Sequence, residues 1–470
     1  MLENCNSCLN ISQLPNLTSL SYNNMIVTET ELQSVACHCK RLKKLCIYNC
    51  FNDKCSLFVF PQDLAVNTLL EMKQLEYLSL GSNMEEMLNY EDFCQLMKTN
   101  IKHLFLKYKI EADENSQIFN NDLKNSLLDL EISCSFCKTK WGIQFPSYLC
   151  HFENLLSLTL QDVGHNIEDA TLIILANTCK QLKKLSFNFI TFENVTNFHL
   201  LSSIEELNLQ ICEGLTHKNL RQILTEMNLI KVASLWTTYE GTFEDFPISK
   251  KIQFLNIEIL KTPAFKGAYE NNENLRSLIW HGGYGLTMKP LTLKCLNLQN
   301  LEIKSGFIPL DLLLQLKSLR TLTIRYPALK CPWSYISQLL SDHVSLTDFT
   351  LDELCYKPDS KSYPPEAFKC SQNIKCVKIP SQAFEVAIDF WLDFVDKNRQ
   401  LKLICLGWLS REALDNLINS PKFPNSLKII YIYGFKIVCK DLRENFDYTL
   451  EKIHFDKHRR LSICDNNLYI

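Results

Sequence analysis

Leu182-Lys183-Lys184-Leu185-Ser186-Phe187 and, 22 residues later, Ile204-Glu205-Glu206-Leu207-Asn208-Leu209 share one pattern: apolar, two variable residues, apolar, one variable residue, apolar. The second half of each alternates as a strand does when one face is buried. Working outward, the triplet recurs as Leu155/Leu158/Leu160 and Leu127/Leu130/Ile132 on one side. On the other it recurs as Ile252/Leu255/Ile257 and Leu275/Leu278/Trp280. From Leu17/Leu20/Tyr22 to Leu450/Ile453/Phe455 there are 18 copies, spaced 21 to 33 residues with a mean of about 25.5. One copy has two possible registers. Ile230/Ala233/Leu235 is preferred, because Leu229/Val232 would bury Ser234.

Triplets arising by chance would be scattered, whereas a regular period of 20–29 residues marks a leucine-rich repeat. The segments between triplets supply the other half of each unit. Leu32, Val35, Ala36 and Cys39 precede Leu42, and Leu172, Leu175, Ala176 and Cys179 precede Leu182. Leu220, Ile223, Leu224 and Met227 follow the same rule, and Trp391, Phe394 and Val395 precede Leu401. The spacing i, i+3, i+4, i+7 is one face of an α-helix. Neither half can bury its apolar face alone, so the units must stack. Strands stack at about 4.8 Å while helices are ~10 Å wide, which predicts a curved array with strands inside. The expected fold is α/β: a right-handed leucine-rich-repeat solenoid, or horseshoe, with a parallel inner sheet and outer helices. Residues 1–16 are expected to be a cap or partial repeat, 17–455 the repeats, and 456–470 a C-terminal cap or tail. The longest gap, between Leu42 and Leu75, is expected to hold an enlarged loop or outer segment around 56–62.

Composition agrees with a folded chain. Of 470 residues 46% are hydrophobic and 21% charged, which excludes wholesale disorder, and 12 glycines with 15 prolines exclude collagen-like or linker character. A net charge of −3, from 49 basic and 52 acidic residues, argues against a basic nucleic-acid binder. No apolar run approaches a membrane span. The first residues lack the basic start and apolar stretch of a secretory signal. The expected location is therefore cytoplasmic or nuclear, where the 21 cysteines would be free thiols. Cys39, Cys179 and Cys295 each fall three residues before a triplet, and Cys50 and Cys212 three residues after one, all in interior slots. Cys5–Cys8 and Cys134–Cys137 have C-x-x-C spacing, but a zinc site needs four converging ligands and these pairs are far apart along a solenoid.

The run Ala36-Cys37-His38-Cys39-Lys40-Arg41-Leu42-Lys43-Lys44-Leu45-Cys46-Ile47-Tyr48-Asn49-Cys50 resembles the cysteine-containing class of leucine-rich repeat. So does the stretch from Ile167 to Phe187. That class is best known from the F-box/leucine-rich-repeat family. The resemblance implies substrate recognition for a cullin–RING (SCF-type) ubiquitin ligase. An F-box is a helical segment of about 40–50 residues ahead of the repeats that grips the ligase adaptor. Only 16 residues precede Leu17, so the chain is expected to be an N-terminally incomplete receptor or a relative without its own ligase contact. The alternative is a repeat scaffold binding proteins for another purpose. A Ran-type GTPase activator fits less well, because its repeats are longer and more regular.

No catalytic motif such as G-x-x-x-x-G-K-[ST], H-E-x-x-H or G-x-S-x-G occurs. His281-Gly282-Gly283-Tyr284-Gly285-Leu286 has no phosphate-loop spacing and reads as a turn. Lys40-Arg41-Leu42-Lys43-Lys44 and Asp456-Lys457-His458-Arg459-Arg460 read as solvated basic runs. The chain is expected to be a non-enzyme without cofactor or metal, and a monomer that binds a protein but neither nucleic acid nor membrane. The binding residues should stand at the variable strand positions: third, fifth, seventh and eighth from the first apolar residue. Large aromatics at those positions mark candidates, since few rotors freeze when they are buried. They are Tyr48, Tyr77, Phe105 and Tyr108 early, Trp236 and Phe254 in the middle, and Tyr326, Trp408, Tyr431 and Tyr433 late.

Overall fold

A computed structural model describes residues 2–3, 14–23, 27, 29–48, 62–81, 87–89, 95–96, 99–107, 109–111, 126–133, 149, 152–162, 166–238, 249–260, 272–281, 295–304, 310–325, 333–352, 373–378, 400–406, 429–432, 435–439 and 448–452. The chain divides into two compact units, Met1–Thr262 and Pro263–Ile470.

In the first unit the strands are β1 (Leu2–Glu3), β2 (Ser19–Asn23), β3 (Lys44–Tyr48), β4 (Tyr77–Gly81), β5 (Met87–Asn89), β6 (His103–Lys107) and β7 (Lys109–Glu111). They continue as β8 (Asp129–Ser133), β9 (Ser157–Gln161), β10 (Lys184–Asn188), β11 (Glu206–Cys212), β12 (Lys231–Thr238) and β13 (Phe254–Leu260). All but β5 and β7 lie side by side in sequence order as one parallel sheet. β5 and β7 form a small parallel pair of their own. Helices Glu29–His38, Gln62–Glu71 and Asp169–Thr178 return the chain between strands. The second unit holds β14 (Ser277–His281), β15 (Asn300–Lys304), β16 (Thr321–Arg325), β17 (Asp348–Asp352), β18 (Cys376–Lys378), β19 (Leu403–Leu406) and β20 (Ile429–Ile432), again parallel and in order. Helices Leu310–Gln315 and Trp333–Asp342 belong to it. The fold is an α/β leucine-rich-repeat solenoid.

The triplet residues are the core. Leu42, Leu45 and Ile47 are buried, as are Leu182, Leu185 and Phe187, and Leu298, Leu301 and Ile303. Many triplets are introduced by a turn in which the first N–H donates to the carbonyl three residues earlier. Leu42 donates to Cys39 at 3.0 Å, Leu75 to Met72 at 2.9 Å, Leu182 to Cys179 at 3.0 Å and Leu298 to Cys295 at 3.0 Å. The cysteines fill this turn slot. Cys39, Cys179 and Cys295 are buried, and the Cys39 thiol donates to the Leu14 carbonyl at 3.7 Å. Cys212 is also buried and donates to the Phe187 carbonyl at 3.2 Å. Burial pushes the Cys212 thiol up to about 12 and that of Cys295 up to about 11, so both stay protonated at neutral pH. Cys5, Cys8, Cys50, Cys134 and Cys137 lie outside the described residues, as does the segment 56–61.

Two expectations are corrected. The buried triplet near 230 is Leu229/Val232/Leu235, while Ile230 is exposed. A bulge resolves the objection about Ser234. Val232 pairs with Leu255 and Leu235 with Ile257, so β12 carries one extra residue between them. That residue lets Ser234 stay outside the core while Leu235 regains it. The Leu450/Ile453 copy is not a further parallel repeat. β20 pairs antiparallel with β21 (Phe435–Cys439), which pairs antiparallel with β22 (Tyr448–Lys452). Two residues separate β20 from β21, far fewer than a parallel crossover requires.

The segment before β12 is closed by polar side chains. Thr216 caps the helix His217–Arg221, accepting from the Asn219 N–H at 3.2 Å, while Asn219 Oδ1 accepts from the Thr216 N–H at 2.7 Å. Asn219 is fully buried, and its Nδ2 donates to the Val195 carbonyl at 2.8 Å, tying two repeats together. The helix then loosens into a π-type turn, Gln222–Glu226, which seats Ile223 and Leu224 in the core. Replacing Asn219 by alanine strands the Val195 carbonyl and removes the capping box. Asn219→Ala is expected to destabilise the chain by about 2–3 kcal/mol, measured by urea denaturation. An unchanged midpoint would show that the box is dispensable.

Candidate functional site

Parallel, unshifted pairing converts equivalent repeat positions into rows across the sheet. Across β3, β4, β6 and β8, the third positions give Lys44, Tyr77, His103 and Asp129, and the fifth give Cys46, Ser79, Phe105 and Glu131. Between these rows lie Leu45, Leu78, Leu104 and Leu130, all buried on the opposite face. Strand positions three and five therefore share the open face, where Tyr77, His103, Phe105, Asp129 and Glu131 are partly exposed.

The side chains on this face touch. The Lys44 ammonium stands 4.1 Å from the centre of the Tyr77 ring, a cation–π contact. Tyr77 lies 5.0 Å from Phe105, centroid to centroid, and 5.9 Å from His103. His103 Nδ1 is hydrogen-bonded to Asp129 Oδ2. Tyr48, 36% exposed, is hydrogen-bonded through its hydroxyl to Ser79 Oγ. Burial, with the neighbouring Tyr48, Cys46 and Glu131, pushes the Tyr77 phenol up to about 12. Burial alone raises the Glu131 carboxyl above its ordinary range. No hydrogen bond or ion pair among the described residues involves Glu131.

Burial raises the Cys46 thiol more than nearby Lys44 lowers it, so Cys46 is a protonated, weak nucleophile. His103 sits two strands from Cys46, about 10 Å away, which is beyond direct proton transfer. Among the described residues, no three or more His, Cys, Asp or Glu side chains gather closely enough to hold a metal ion. No helix among them is long and apolar enough to cross a membrane.

The sequence-derived candidates divide clearly. Tyr48, Tyr77 and Phe105 come together on β3, β4 and β6. Phe254 stands elsewhere, on β13, with the Lys231 ammonium 5.6 Å from its ring centre. Lys231 also pairs with Glu206 at 2.8 Å. Trp236 occupies β12 opposite Glu258, and Tyr431 occupies β20 between Cys405 and Lys436. Tyr108, Tyr326, Trp408 and Tyr433 lie outside the described residues. A search for aromatics alone missed Lys44, His103, Asp129 and Glu131, although they stand at the same third and fifth positions. The basic run at 40–44 is engaged within the chain. Lys40 Nζ donates to the Ala36 carbonyl at 2.7 Å, Lys43 pairs with Glu76 at 3.1 Å, and Lys44 covers Tyr77.

No family model matches the chain, and no curated protein matches it. Solved structures do resemble it. An internalin from Listeria monocytogenes matches with 17% identity and a TM-score of 0.37, over 76% of this chain and 90% of that one. TLR13, solved in complex with ssRNA13, matches with 15% identity and a TM-score of 0.41, over 90% of this chain and 66% of its own. A leucine-rich-repeat protein of Leptospira interrogans matches with 18% identity and a TM-score of 0.36, over 89% of this chain and 92% of that one.

The Glu131 carboxyl yields a signed prediction. Its folded-state value lies above its unfolded value, so the folded state favours the protonated acid. Stability from this group is present at low pH and is lost as pH rises through the ordinary carboxylate range to the raised folded value. At neutral pH the ionised group therefore destabilises the fold. Glu131→Gln is expected to raise the melting temperature at pH 7, with the gain shrinking as pH falls through the raised folded value and gone below about 4.3. A pH-independent effect would contradict this account.

Proposed function

We propose that the chain is a non-catalytic protein-binding receptor whose open sheet face on β3–β8 takes a segment of a partner protein. The observation that carries this reading is the in-register cluster Tyr48, Tyr77 and Phe105, held on strands rather than loops. Aromatic anchors on a rigid support tend to dominate binding energy, because they bury large area with little rotamer entropy to lose. The neighbouring strands make a useful contrast. At the same positions they carry Thr159, Ser186 and Asn208, and Asn208 Nδ2 donates to Ser186 Oγ at 2.8 Å. That polar stretch satisfies itself and offers less to a partner.

A photo-crosslinking amino acid at position 105 identifies the partner, with the exposed position Val344 as the control. Binding is then measured with purified partner. Tyr77→Ala combined with Phe105→Ala is expected to weaken binding by roughly 100-fold while circular dichroism retains the repeat signature. Full binding by a folded double variant would move the site elsewhere.

The finer reading is substrate recognition for a cullin–RING ubiquitin ligase. Its support is the resemblance of residues 36–50 and 167–187 to the cysteine-containing repeat class, together with the equivalent buried turn slots of Cys39 and Cys179. The alternative is a scaffold unrelated to ubiquitin. Reconstitution separates the two. If the ligase reading holds, the crosslinked partner is ubiquitinated in an assembly containing this chain and the purified adaptor, supplied directly or through an F-box-bearing form. A partner that binds tightly but is never modified in that assembly supports the scaffold.

A further inference from the structure

We infer that the face on β3–β8 receives a cationic side chain of the partner, a lysine or arginine, seated against Tyr77 and Phe105 with its charge directed to Glu131. This rests on the protein-binding reading of that face and names the group the face selects.

The argument is one of charges left over. The two rows hold one lysine, one histidine and two carboxylates: Lys44, His103, Asp129 and Glu131. Asp129 is taken by His103. Lys44 is committed to the Tyr77 ring at 4.1 Å. Lys44 is also three strands from β8, about 14 Å, too far to neutralise a carboxylate there. Among the described residues Glu131 alone of the four has no hydrogen bond, ion pair or cation–π contact, and it stands on the same row as Phe105, one strand beyond it.

A partly buried carboxylate without a counter-charge has already lost much of its hydration. An apolar partner group would strip the rest without compensation, and an acidic group would repel it. A cation does the opposite. It restores the lost charge balance, and the ring faces beside it attract it further through their quadrupoles. Arginine and lysine share this chemistry, and a planar guanidinium would add a two-pronged contact to the carboxylate.

The test is selection of a random-peptide library, displayed on phage, against the full chain. The selected peptides are measured on wild type, Glu131→Gln, Tyr77→Leu and Phe105→Leu. The leucine variants keep apolar volume in place of the rings, and Glu131→Gln keeps the shape of the side chain without its charge. Folding of each is checked by circular dichroism. The expected result is a shared lysine or arginine at one peptide position, weaker binding at high salt, and a loss of roughly tenfold or more on Glu131→Gln. Peptides that depend on Tyr77 and Phe105 but carry no common basic residue, and bind Glu131→Gln unchanged, would overturn the cation inference alone. A library yielding no peptide sensitive to either ring would overturn the docking surface as well.

Discussion

One hydrogen-bonding device sets the register of this protein. At the start of strand after strand in the parallel sheet a single carbonyl accepts two successive N–H groups from the next repeat. The Lys43 carbonyl takes those of Glu76 and Tyr77, both at 2.9 Å, and the Glu76 carbonyl takes those of Lys102 and His103 at 2.8 and 3.0 Å. In the second unit the Arg320 carbonyl takes those of Thr347 and Asp348 at 2.9 and 3.0 Å. The residue is always the one after the first apolar position. A fork of this kind leaves no freedom to slide, and a one-residue slip would exchange the core and open faces of the whole strand. Every row on the sheet, including the candidate site, inherits its alignment from this fork.

The fork also explains what departs from the plan. At β12 it remains in place, with the Glu205 carbonyl accepting from Ile230 and Lys231 at 2.8 and 3.0 Å. The extra residue must therefore be absorbed further along, where the register shifts between Val232 and Leu235. At the far end of the strands another constraint acts. Asp162, Phe189 and Ile211, all at the eighth repeat position, have φ of 49°, 56° and 54°. Asp162 and Phe189 follow directly on β9 and β10, while Ile211 lies inside β11 at the register shift between Leu209 and Cys212, where a β-branched residue accepts that conformation only under strain. The backbone conformation is set by the repeat position, and the side chain there conforms to it. Gly214, at φ 77°, tolerates the same crowding where a Cβ would meet the Phe192 carbonyl at 2.0 Å.

These particulars show how far the sequence could be read. The period and the helix-face spacing were legible because burial acts on every unit alike, so Leu32, Leu172 and Leu220 announce their helices. The register at 229–235 was not, because Leu229 and Ile230 are equally apolar and only a bulge decides between them. The antiparallel end was hidden for a related reason. Leu450 and Ile453 keep the triplet spacing, but strand direction depends on the length of the connection, not on the triplet. On the open face the rings of Tyr48, Tyr77 and Phe105 were legible as residue types at repeat positions. The pairing of His103 with Asp129, and the isolation of Glu131 that follows from it, needed neighbouring repeats to be placed side by side.

That isolation has an energetic side. Ionised Glu131 destabilises the fold, yet it stands on β8 between Leu130 and Ile132, both buried. The strand beneath is held by its apolar row and by the forked carbonyl of Lys102, which accepts from Leu128 and Asp129 at 2.7 and 3.0 Å. A solenoid distributes stability over nearest-neighbour interfaces, so one unfavourable charge on the open face is a local burden that adjoining strands can carry. The same division of labour operates in each repeat. Positions four and six hold the strand down, which relieves positions three and five of much of the demand of the core.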